Sequence, residues 1–167
     1  MISVQAFGFM VKLTIDLNGN KAQFGVMHFS DLMHRSPRPF SVDHGHEARR
    51  LFTAEGEEVQ SFVAAVAGSS PYLKGLIKKE YQWLRTAFTR PETVLEAEFS
   101  DLKKTAAIDL MNELRRAKRR VALWTALCDL AGIWTLEEVT ETLSKFADLA
   151  CQLSLKHALE TQLRRNK

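Results

Sequence analysis

The sequence predicts an all-α protein: a helical bundle organised around one long helical hairpin and preceded by a short irregular or β-hairpin arm. Three observations carry that expectation. From Asp43 onward, apolar residues recur at spacings of three and four, the period of helices with one buried face. Between Asn112 and Asp148, Gly132 can take the left-handed conformation that stops one helix, and Thr135 with Glu138 forms a capping box for the next. Finally, 167 residues with 46% hydrophobic and 26% charged side chains suffice to bury a single core. The expected division is an arm with a proline-rich linker over 1–42 and a helical domain over 43–167.

In the arm, Val11 to Leu17 alternates at period two and runs into Asn18-Gly19-Asn20, which reads as a short strand and turn, or a hairpin with 23–27. A lone hairpin is marginal in water. Two blander readings stand beside it: an arm without a defined role, and an upstream extension whose true first residue is Met27 or Met33. Arg35-Ser36-Pro37-Arg38-Pro39 favours extended backbone and is expected to be a linker. Four of the five histidines, His28, His34, His44 and His46, lie in or just after the arm. Their spacing matches no zinc pattern, so no metal site is expected.

Beyond the linker, Val59, Phe62, Val63 and Val66 make an apolar stripe that Gly68 is expected to end. Ser70 then caps a helix with Pro71 at its first position, where a missing amide costs nothing. Leu73, Leu76 and Ile77 form its buried face, and apolar character continues through Tyr81, Trp83, Leu84 and Phe88. A long helix begins after Pro91 and breaks near Thr105. Its second part, about 105 to 131, is expected to bury Ala107, Met111, Leu114, Val121, Trp124 and Cys128. In the partner helix, about 135 to 163, Leu136, Val139, Leu143, Phe146, Ala150 and Leu153 form a heptad seam that continues to His157, read as a core-edge residue.

Cys128 and Cys151 would lie about 20 Å apart along such a hairpin, too far for a disulfide, so both are expected to be small buried hydrophobes. Arg115, Arg116, Lys118, Arg119 and Arg120 form a basic cluster with one nearby acid, Glu113. It reads as a solvated face or as a contact for an acidic neighbour or phosphate ligand. Replacing Arg115, Arg116, Arg119 and Arg120 with Gln is expected to leave folding intact.

The run Leu114-Arg115-Arg116, Lys118-Arg119-Arg120, Asp129-Leu130-Ala131-Gly132, then Leu136-Glu137-Glu138-Val139 and Leu143-Ser144, resembles the helical segment of the glutamine synthetase adenylyltransferase/deadenylyltransferase family. Ser69-Ser70-Pro71-Tyr72-Leu73-Lys74-Gly75-Leu76-Ile77, with Trp83-Leu84 beyond, is similar to an earlier helix of that family. The resemblance spans roughly residues 55 to 160 and rests on structural words. It implies a bifunctional enzyme that attaches adenylyl to a tyrosine of glutamine synthetase and removes it, under control of the PII signalling protein, with ATP and magnesium as family cofactors. It further implies that the chain is the leading helical piece of the deadenylylating half, cut short before the nucleotidyltransferase motif. The remainder of the adenylyltransferase and glutamine synthetase are the implied partners. None of the matched positions is catalytic in the family, so no catalytic, cofactor-binding or metal residue is assigned. Asp129 is expected to find Arg119 or Arg120 as its partner.

The chemistry of such an enzyme begins with Gly-Ser and two aspartates one residue apart, which hold magnesium on the nucleotide phosphates. Gly68-Ser69 fails that test, because no Asp-x-Asp occurs in the chain. No phosphate-binding GxxxxGK[ST], no GxGxxG after a strand and no GxSxG elbow is present either. Glu57-Glu58 and Glu137-Glu138 occupy first turns of helices, where negative charge meets the positive end of the dipole. No apolar run reaches the length of about 20 residues that crosses a bilayer, and no secretory signal is recognisable, so the expected address is the cytoplasm. A net charge of +3 is too slight to imply nucleic acid by itself. The rival reading is a free-standing interaction module whose basic helix binds nucleic acid or an acidic protein; nucleic acid is disfavoured because no aromatic residues interleave with the cluster.

Overall fold

Seven α-helices follow one another among residues 27–165, the part of the chain that the computed structural model describes, and no strand occurs among them. They are α1 (Phe29–Leu32), α2 (Val42–Arg49), α3 (Glu57–Ser69), α4 (Pro71–Thr89), α5 (Val94–Lys104), α6 (Leu110–Leu130) and α7 (Leu136–Arg165). A 3₁₀ turn, Arg50–Phe52, continues α2. The expected strand Val11–Leu17 falls outside the described residues.

The hairpin turn forms as its residues dictate. Gly132 has φ +71°. The Ile133 amide reaches back to the Cys128 carbonyl and the Gly132 amide to that of Asp129, both at 2.9 Å, closing α6 with paired backbone bonds. The Thr135 amide donates to the Glu138 carboxylate at 2.8 Å, and Thr135 Oγ1 accepts from the Glu138 amide at 3.3 Å. Ser70 likewise caps α4 by accepting from the Leu73 amide at 3.3 Å, with Pro71 in the first turn.

The principal core joins α1 through α4 to the second half of α6. Trp124, Phe29, Phe52 and Phe62 are its largest fully buried side chains. Phe29 touches the rings of Phe62, Phe88 and Trp124, with centroids 4.9 to 5.7 Å away. A second, smaller core gathers Leu102, Leu110, Leu114, Ala117 and Leu149, with Phe99 and Phe146 stacked beside it.

The strap from 33 to 41 is no free linker. The His34 and Arg35 amides donate to the Ala131 carbonyl at 2.9 and 3.1 Å, and those of Phe40 and Ser41 to the Gly68 carbonyl at 3.1 and 2.9 Å. Gly68 therefore does not stop α3. It lies one residue inside it, and a Cβ there would meet the Ser41 carbonyl oxygen at 2.6 Å and Pro39 Cβ at 2.7 Å. The residue is small because a second backbone crosses it. Gly45 serves the same purpose between α2 and α3, where a Cβ would stand 2.7 Å from the Ala64 carbonyl oxygen.

Several expected placements are corrected. Thr105 to Asp109 are not helical, so α6 starts at Leu110. Ala107 and Met111 are exposed, and Leu110 and Ala117 occupy the interior in their place. On α7, Val139, Phe146, Ala150 and Leu153 turn inward as expected, but Leu136 and Leu143 are exposed; Leu149 is the buried leucine. Both registers fit a three-four repeat, and only packing chooses between them. Cys128 is buried, which together with nearby Glu138 pushes its thiol well above the usual range, whereas Cys151 is exposed and not a core residue. Both thiols are free.

Candidate functional site

The basic run of α6 is one turn and a half of helix, so its five cations cannot share one face. Leu114, Ala117 and Val121 take the buried side. Arg119 and Arg120, about 100° apart, flank instead the direction of buried Leu123 and reach across to α4 and α5, while Arg115 and Lys118 are exposed.

The two inward arginines meet two buried acids. Glu80 of α4 and Glu98 of α5 are 6% and 8% exposed. Arg119 Nε donates to Glu80 Oε1 at 2.7 Å, and Arg120 Nε to Glu80 Oε2 at 3.1 Å. Arg120 also donates through a terminal nitrogen to Glu98 Oε2 at 2.9 Å, and its guanidinium lies 5.2 Å from the centre of the Trp83 ring. A terminal nitrogen of Arg119 donates to the Arg115 carbonyl at 3.2 Å. Two carboxylates thus balance two guanidiniums. This arrangement joins three helices, and α4 leaves helical geometry at Glu80 itself (φ −112°, ψ 18°).

The expected contact with an acidic neighbour is therefore divided. For Arg119 and Arg120 the acids belong to this chain; Arg116 pairs with Glu113 on its own helix. Arg115 and Lys118 form no ion pair within 4 Å among the described residues. Asp129 does not meet Arg119 or Arg120. Its side chain and its carbonyl instead receive Arg35, the strap residue that also lies against Gly132. Sequence reasoning missed Glu80 and Glu98. Their signal was an acid on a buried face: Glu80 follows Leu76 and Ile77 and precedes Leu84 at helical spacing, and Glu98 sits between Leu95 and Leu102.

Nothing in this arrangement handles a phosphoryl group. Both Glu80 oxygens and one Glu98 oxygen accept from arginine, and among the described residues no three His, Cys, Asp or Glu side chains come together in a way that could hold a metal ion. The arginine-bound carboxylates do not fit magnesium. Among those residues, no helix is long and apolar enough to cross a membrane.

The glutamate-ammonia ligase adenylyltransferase family model matches residues 60–167. The chain belongs to this family. A bifunctional glutamine synthetase adenylyltransferase/adenylyl-removing enzyme of Bradyrhizobium sp. (strain ORS 278) is 33% identical over 114 residues, covering 65% of this chain and 12% of the relative. The enzymes of the same name from Rhodopseudomonas palustris (strain TIE-1) and Bradyrhizobium diazoefficiens are 33% identical over 116 residues and 31% over 114, with coverage of 66% and 65% of this chain. The chain thus spans about 12% of the length of the curated relatives it matches. No solved structure matches it. The residues linking Glu80, Glu98, Arg119 and Arg120 all lie within the stretch that matches the adenylyltransferase family.

Proposed function

We propose that this chain is the helical, non-catalytic portion of an enzyme that attaches adenylyl groups to glutamine synthetase and removes them. The observation that carries the reading is the family match over residues 60–167 in a chain with no paired aspartates. The arginine-bound acids of the α4–α5–α6 junction support it, since Glu80 and Glu98 are committed to holding three helices together. ATP, magnesium and the transfer itself belong to the remainder of the adenylyltransferase, which with glutamine synthetase is the partner; the cytoplasm is the place of action. Incubating the pure chain with adenylylated glutamine synthetase, magnesium and inorganic phosphate is expected to release neither AMP (by attack of water) nor ADP (by attack of phosphate). Magnesium-dependent release above the rate of a boiled control would overturn the assignment of a non-catalytic role.

A further inference from the structure

We propose that the last third of α7 docks, through Leu155, Leu159 and Leu163, into an apolar groove with an acidic rim on the remainder of the adenylyltransferase. This inference rests on the functional reading above. The three leucines are 62%, 56% and 66% exposed and, being four apart, form one ridge along the helix. The packing of α7 onto the smaller core ends at Leu153. The twelve residues after it extend about 18 Å with only His157, Glu160 and Thr161 partly covered, and a helix with so little packing is marginal in water.

The outer face of α7 changes character along its length. Glu137, Glu141, Ser144 and Asp148 occupy, at helical spacing, the same exposed face that Leu155 and Leu159 occupy further on. On this face the first half is polar and the second apolar; the exposed Leu136 and Leu143 lie on another face. A second copy of the chain is a poor occupant: Lys156, Arg164 and Arg165 against Glu160 give each ridge a surplus of two positive charges, so two ridges face to face repel. A free partner is poor too, because three leucines fall far short of the about 800 Å² per side of a stable independent interface. A body held alongside by other contacts meets both conditions, since a high effective concentration makes a small contact sufficient. The basic tip calls for acids around its groove.

The test replaces the matched 114-residue stretch of the Bradyrhizobium sp. (strain ORS 278) enzyme, with as many residues before it as this chain has before its own matched stretch, by this whole chain, so that α1 and the strap stay with the core they complete. Leu155→Glu with Leu159→Glu is expected to lower the melting temperature of the graft by several degrees. The same pair leaves the isolated 167-residue chain unchanged, because its leucines already face water. An equal shift in both proteins, or none in either, overturns the proposal, as does an isolated chain that sediments as a dimer which these substitutions dissolve. An unsubstituted graft that neither folds nor transfers adenylyl groups overturns the functional reading and the ridge together; an active graft indifferent to the substitutions overturns the ridge alone.

Discussion

Glu80 shows how little of a side chain's role is written in its own neighbourhood. It is a buried carboxylate on an apolar face, and what makes it tolerable lies 39 and 40 residues away. Removing one partner of such a group leaves charge stranded in a poor solvent, which costs about 3–5 kcal/mol when burial is complete. The guanidiniums of Arg119 and Arg120 keep 29% and 19% of their side-chain surface in water, and Arg120 retains Glu98. Glu80→Ala is therefore expected to cost about 2–3 kcal/mol in urea unfolding, below the fully buried range. Arg115→Gln with Lys118→Gln, on solvated positions, should stay within about 0.5 kcal/mol. If the two changes cost the same, the inward turn of Arg119 and Arg120 is not what holds the three helices. For the exchange of all four arginines the contacts give the opposite expectation, a loss of stability, because Arg119 and Arg120 are internal partners.

At the level of elements, whatever is encoded within about five residues was legible and whatever is encoded by crossing was not. The α6–α7 turn and the Ser70-Pro71 start of α4 follow from local backbone chemistry, and both formed as read. The strap around 33–41 looked like a linker because proline favours extended backbone, yet an extended segment can still be fastened at both ends. No local pattern announces that Gly68 is small for Pro39 and Ser41, or that Phe29, from a stretch outside the family match, completes the aromatic core. Phe29→Ala is expected to cost about 3–5 kcal/mol, the usual penalty for emptying a fully buried aromatic site. Thermal unfolding followed by circular dichroism measures it. A loss under about 1 kcal/mol would mean that α1 is an accessory to the bundle and not part of it. The same result bears on where the folded unit begins, since a chain started at Met33 lacks this ring.

Across the whole molecule, the two cores divide the helical hairpin unequally. The second half of α6 lies against α1 to α4, and its Leu123, Trp124 and Leu127 are buried almost completely. Of the 30 residues of α7, Leu149 is the buried one. Helices of both kinds look alike in a periodicity plot, which is why the partner helix reads as carrying a continuous heptad seam. Packing, not propensity, sets how long a helix stays closed, because each amide opens with the free energy of the unit that contains it. Amides of 121–130 should then exchange with solvent deuterium only through near-global unfolding, whereas those of 155–165 exchange through local fraying, at least about a hundredfold faster. Hydrogen exchange followed by mass spectrometry on the isolated chain resolves the two segments as separate peptides. Equal protection would require that the end of α7 be covered in the isolated chain, and the asymmetry between the hairpin's arms would then be wrong.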